Sequence, residues 1–171
     1  RQDYLKRMIT SGNLILENDL WFFPKISQQD VEFTVRLMLK ADRVYFSDDV
    51  IYNYFRMMGS ISKPQSTEAI KKNFTDAIIV AKEIRLNIQS QEDPLIKKAI
   101  IKNYNNVVWN LLWRFLKRPR EVDNRFKECI LKQLKSENLY PIKGSLKTPF
   151  QNLIRIFFNN QLFVKYVLNK L

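Results

Sequence analysis

Between residues 66 and 136 apolar side chains recur at helical spacing, and that recurrence lays out most of the molecule. Ile70, Phe74, Ala77, Ile78, Ala81, Ile84 and Ile88 share one face of a helix that starts near Ser66. A second helix opens at Asp93-Pro94, where the fixed φ of proline suits a first turn. Its apolar face runs through Leu95, Ala99, Ile100, Tyr104, Val107, Val108, Leu111, Leu112 and Phe115. "KRPRE" interrupts the pattern, and Val122, Phe126, Ile130 and Leu134 define a third helix. "NLYPIKG" reads as a loop, after which Pro149 opens a last apolar and basic helical region, with a division expected at "FFNNQLF".

The first part of the chain is patterned differently. "DYLKRMIT" has a short helical pattern, "SGN" breaks it, and "NDLWFFP" is an apolar run closed by Pro24. Val31, Phe33, Val35, Leu37 and Met38 then predict a helix over about residues 28–41. "RVYFSDDVIYNYF" is rich in β-branched and aromatic residues and predicts two short strands, Val44 to Phe46 and Ile51 to Phe55, joined at "SDD". The expected fold class is therefore mainly α with a small β element, residues 66–171 forming a helical bundle.

Composition agrees with this outline. A chain of 171 residues that is 46% hydrophobic can build one sizeable core, and three glycines with six prolines are too few for the turns of an all-β sandwich. The chain has no histidine, which excludes zinc fingers, His-ligated metals and Ser-His-Asp or Cys-His nucleophiles. Its one cysteine, Cys129, makes no internal disulfide and on the apolar "FKECIL" is expected to pack as a small hydrophobe, in keeping with a reducing compartment. No apolar stretch reaches the roughly 18 residues of a membrane span. The opening "RQDYLKRMIT" has neither Met nor a secretory signal, so the chain reads as a piece of a longer protein.

The charge is unevenly divided. Residues 1–60 carry 8 basic and 8 acidic side chains, so the net +12 belongs wholly to residues 61–171. No acidic residue follows Glu137, whereas Lys143, Lys147, Arg155, Lys165 and Lys170 do. Such a tail is either a solvated basic face or a surface drawn to phosphates, acidic polymers or an anionic membrane, the contact running through residues 143–171. For nucleic acid the argument is generic electrostatics alone, since no helix-turn-helix or zinc signature accompanies the charge.

Taken together, "LWFFPKISQQDVEFTVRLMLKADRVYFSDDVIYNYFRMMGSIS" resembles the C-terminal part of the catalytic domain in bacterial family 2 glycosyltransferases, the inverting GT-A enzymes of surface polysaccharide synthesis. The resemblance covers residues 18–62 and lies in the order Phe23-Pro24, Asp30 with Phe33 and Arg36, "ADRVYF", "YNYF" and "GSIS". It implies the end of a GT-A α/β domain over residues 1–62, followed by a basic helical tail over 63–171. It further implies transfer of a sugar from a nucleotide donor to a carbohydrate or lipid-linked acceptor, in the cytoplasm or at the inner face of the cell membrane. The Asp of the family's Glu-Asp pair is its general base, which here is Asp30. The Glu is replaced by Gln29, which keeps a hydrogen-bonding group and loses a charge. Arg56 and Ser60 match positions of a loop near the family's active site, where an Arg can pair with the donor diphosphate. The family's Mg or Mn ion is held by an Asp-x-Asp in the donor-binding region, and no Asp-x-Asp occurs in this sequence. The chain alone is thus expected to lack transferase activity.

Each of these residues also has a plainer reading. Ser27-Gln28-Gln29-Asp30 fits a capping box, with Asp30 bonding back to the helix start. Arg56 and Ser60 fit an ordinary turn around Gly59. Trp109 and Trp113, four apart, form either a sugar-stacking platform or core. Asp48-Asp49 reads as a turn rather than a metal site. The chain as a whole also admits a helical interaction module without catalysis.

Overall fold

A computed structural model describes residues 11–45, 66–160 and 162–164. Its elements are α1 (Gly12–Glu17), α2 (Gln29–Lys40), α3 (Thr67–Leu86), α4 (Pro94–Lys117), α5 (Asn124–Ser136) and α6 (Pro149–Asn159). The chain is mainly helical, and none of the described helices is long and apolar enough to cross a membrane.

The starts of the later helices are written in single side chains. Ser66 caps α3 by accepting from the Ala69 amide, Asp93 caps α4 through Leu95, and Asp123 caps α5 through Phe126. Thr148 and Gln151 form a reciprocal capping box on α6. Pro94 and Pro149 each stand in a first turn, where no amide hydrogen is needed.

α3 and α4 make the main core. Phe74, Ala77, Ile78, Ala81 and Ile84 meet Tyr104, Val108, Leu111, Leu112 and Phe115. Each fully buried large side chain contributes about 1.5–3 kcal/mol by leaving water. Ile130 and Leu134 of α5 and Phe158 of α6 close the same core. Burial pushes the Tyr140 phenol up, and its hydroxyl donates to the main-chain oxygen of Phe158. At the end of α4, Arg114 grips Glu121 with two hydrogen bonds of 2.6 and 2.7 Å. Burial alone would raise the Glu121 carboxyl, but Arg114 and then Arg118 outweigh it and hold it below the usual carboxylate range.

The stretch between α5 and α6 is a loop, as expected, but it is part of the core. Leu139, Tyr140, Ile142 and Leu146 are all buried. Four asparagines satisfy its main chain from both sides. Asn105 donates to the Lys143 oxygen and Asn106 accepts from the Lys147 amide, both from α4. Asn152 and Asn159 of α6 each pair with amide and carbonyl of one residue, Leu146 and Ile142 respectively. Gly144 has φ 89°, and a Cβ there would stand 3.0 Å from Ile101 Cγ2, so glycine is required.

α2 is sandwiched between two clusters. Val31, Val35 and Leu39 pack toward the main core, while Phe33 and Leu37 join Leu20, Leu14 and Ile15 in a smaller one. The second cluster accounts for α1, which starts inside the expected "SGN" break because Leu14 and Ile15 have partners to bury against.

Other expectations are corrected. Leu95 and Ala99 are exposed, because the first turns of α4 precede the stretch that meets α3. Cys129 is exposed, and Lys127, two residues earlier, is buried in its stead. Burial pushes the Lys127 amine down, against the opposing charge of Asp123. No strand occurs among the described residues. Val44 and Tyr45 are irregular and exposed, and Phe46 and the second expected strand lie outside the described residues, as does "DYLKRMIT".

Candidate functional site

The segment that leads into α2 contains two residues in a backbone conformation that side chains disfavour. Lys25 has φ 63° and Gln28 has φ 62°, each costing about 1–2 kcal/mol in a non-glycine residue. Such a loop persists only if its surroundings impose it. Here α3 does so. Asp76, 4% exposed, accepts from the Ser27 amide at 2.7 Å and from the Ser27 hydroxyl at 2.9 Å. Lys72, one turn earlier, donates both to Asp76 and, at 2.6 Å, to the main-chain oxygen of Lys25.

This anchoring decides what Ser27 and Asp30 do. Both donors of Ser27 are taken by Asp76, so the capping box does not form. The N-cap position falls to Gln28, whose side chain makes no capping bond. Gln29 is partly buried as the first residue of α2, and Asp30 is exposed as the second. The main-chain oxygen of Asp30 accepts from the Thr34 hydroxyl at 2.7 Å. Among the described residues no donor engages its carboxylate. An acidic side chain in this first turn also interacts favourably with the helix dipole.

The other acidic residue of the turn is differently employed. Glu32 is 1% exposed and takes two hydrogen bonds from Arg36, at 2.5 and 2.9 Å. Arg36 reaches on to the main-chain oxygen of Trp21 at 2.6 Å and lies 5.2 Å from the Phe23 ring centre. Phe22 stacks on Phe33 at 4.1 Å. Arg36 thus fastens the "LWFFP" segment to α2 and leaves Trp21 and Phe22 half exposed. The Asp76 anchor on Ser27, 49 residues away, is not legible locally. The i, i+4 spacing of Lys72 with Asp76 and of Glu32 with Arg36 was the available signal.

Arg56 and Ser60 lie outside the described residues, as does Asp48-Asp49. The described residues do not fit the Mg or Mn ion that the family resemblance implies. No group of three or more potential ligands occurs among them, and Glu32, the carboxylate nearest Asp30 in sequence, is committed to Arg36. Trp109 is buried in the core, with Trp113 stacked on it at 5.5 Å.

Comparison with protein families, with curated proteins and with solved structures finds no match for the chain.

The anchor is testable by itself. Asp76→Ala is expected to destabilise the chain by about 1.5–3 kcal/mol, the usual worth of a hydrogen bond to a charged group. Asp76→Asn, which keeps an acceptor for Ser27, should lose less. Urea denaturation followed by circular dichroism measures both.

Proposed function

We propose that the chain is the acceptor-side C-terminal region and helical tail of an inverting family 2 glycosyltransferase, with Asp30 as general base. In this reading residues 1–62 end a GT-A α/β domain, the short strand from Ile51 to Phe55 included. An acceptor hydroxyl attacks the anomeric carbon as the Asp30 carboxylate takes its proton. The new C–O bond forms on the face opposite the breaking bond to the nucleoside diphosphate, which inverts the configuration. A sugar hydroxyl is a poor nucleophile, so an ionised acceptor-only group within hydrogen-bond reach is what the step needs.

The observation that carries the reading is an exposed carboxylate on the first turn of a helix whose start is clamped in a strained conformation by long-range hydrogen bonds. Strain kept at the foot of a helix fits a residue that must be aimed. Gln29, Arg56 and Ser60 are the proposed substrate contacts, Arg56 pairing with the donor diphosphate. The donor pocket and its metal belong to a region beyond these residues.

The test is transfer itself. The longer protein that contains this chain, supplied with radiolabelled nucleotide sugars and Mg or Mn, is expected to move label into a membrane acceptor fraction. Failure to consume any nucleotide sugar overturns the reading in favour of an interaction module.

A further inference from the structure

α6 is turned inside out relative to an ordinary amphipathic helix. At 100° per residue, Ile156, Pro149, Leu153, Phe157 and Phe150 fill one continuous arc of its surface. That arc faces outward. Phe150 is 58% exposed, Leu153 61%, Ile156 64% and Phe157 50%. The opposite arc carries Gln151, Asn152, Arg155 and Asn159 beside Ile154 and Phe158, and it is the one that meets the protein. The reason lies in the preceding loop, whose amides and carbonyls require Asn152 and Asn159 on the inner side. Holding that backbone leaves the large apolar side chains outside.

The surroundings of the face are basic. Lys143 and Lys147 are exposed in the loop that feeds the helix. Trp113 meets Phe150 edge to face at 6.2 Å and has the Lys117 amine 5.9 Å from its ring centre, an amphipathic rim next to an apolar stripe. From residue 138 to the end of the sequence there is no acidic side chain to oppose an anionic surface.

We propose that the outward face of α6 is an in-plane membrane-association surface, which inserts Phe150, Leu153, Ile156 and Phe157 into the headgroup zone of an anionic bilayer while Lys117, Lys143 and Lys147 contact lipid phosphates. A helix of 11 residues lies in an interface and does not cross it. Apolar insertion supplies the affinity, and the basic rim supplies the preference for anionic lipid. The inference does not depend on the transferase reading, since binding needs neither donor nor Asp30.

Vesicle flotation of the 171-residue chain tests it, with vesicles of phosphatidylcholine alone and of equal parts phosphatidylcholine and phosphatidylglycerol. The chain is expected to float with the anionic vesicles and to stay behind with the neutral ones. Leu153→Ser combined with Phe157→Ser should weaken partitioning at least roughly tenfold, two of four inserted side chains being lost. Lys143→Gln with Lys147→Gln, which leaves the apolar face whole, should weaken binding to anionic vesicles. Equal binding to both vesicle types, or undiminished binding by the double Ser variant, overturns the proposal. So does failure to float. In that case self-association in sedimentation would assign the face to a second copy, and a monomer would assign it to another polypeptide.

Discussion

On the proposed transferase reading, Asp30→Asn in a longer protein that contains this chain is expected to lower turnover about 10²- to 10⁴-fold, the usual worth of a positioned general base, and to leave the fold intact. Asn has nearly the shape of Asp but cannot accept the proton of an acceptor hydroxyl. Among the described residues the exchange touches nothing that holds the chain together. The side chain is exposed, the Thr34 hydroxyl bonds to the main-chain oxygen of residue 30, and the left-handed loop before it is pinned through Ser27 and Lys25. Stability should stay within about 0.5 kcal/mol of the parent, as for surface exchanges in general. Turnover at saturating acceptor and a thermal melt, on the same preparation, separate lost chemistry from lost structure. Undiminished turnover would remove Asp30 from the mechanism.

Trp109→Ala is the corresponding test of the bundle. Trp109 is 3% exposed, stacked on Trp113 and edge-on to Phe158 at 5.0 Å. Truncation opens a cavity where α4 meets α6, at an expected cost of about 3–5 kcal/mol. In a chain of this size that corresponds to a fall in Tm of roughly 10 °C. Phe150→Ala, on the outward face of α6, should move Tm far less. The contrast follows from burial alone, because both residues are large aromatics on helices within the same aromatic group. A shift below about 2 °C for Trp109→Ala would mean that the site collapses around the loss. At its depth Trp109 has no ring face to offer a sugar.

The helices of residues 66–160 could be read from the chain because each carries both signals that define one, a periodic apolar face and a start residue that caps it. Ser66, Asp93-Pro94 and Pro149 mark starts in the sequence, and the structure adds the caps Asp123 and Thr148. Where one signal misled, a distant partner was the cause. Ser27 looks like a cap three residues before an acid, but Asp76, 49 residues away, takes its donors. α1 is too short for a period and forms because Leu20 and Leu37 cover it. Cys129 and Lys127 exchange the burial that their chemistry suggests, since helix phase rather than residue type sets which side of α5 meets the core. The candidate base was legible only through the order of motifs in residues 18–62. Its surroundings were not, because local pattern says nothing about which residue of α3 lies beneath a loop.

The hold of α3 on the Ser27 loop also sets an order in time. Residues 20–40 are synthesised before α3, and the strained turn has no anchor until Lys72 and Asp76 arrive to bind it. Non-local contacts of this kind form late, after the chain between them has been closed into a loop. The start of α2 therefore acquires its anchor during synthesis only when α3 has emerged, and a nascent chain stopped short of α3 would carry the Ser27 turn without the bonds that hold it.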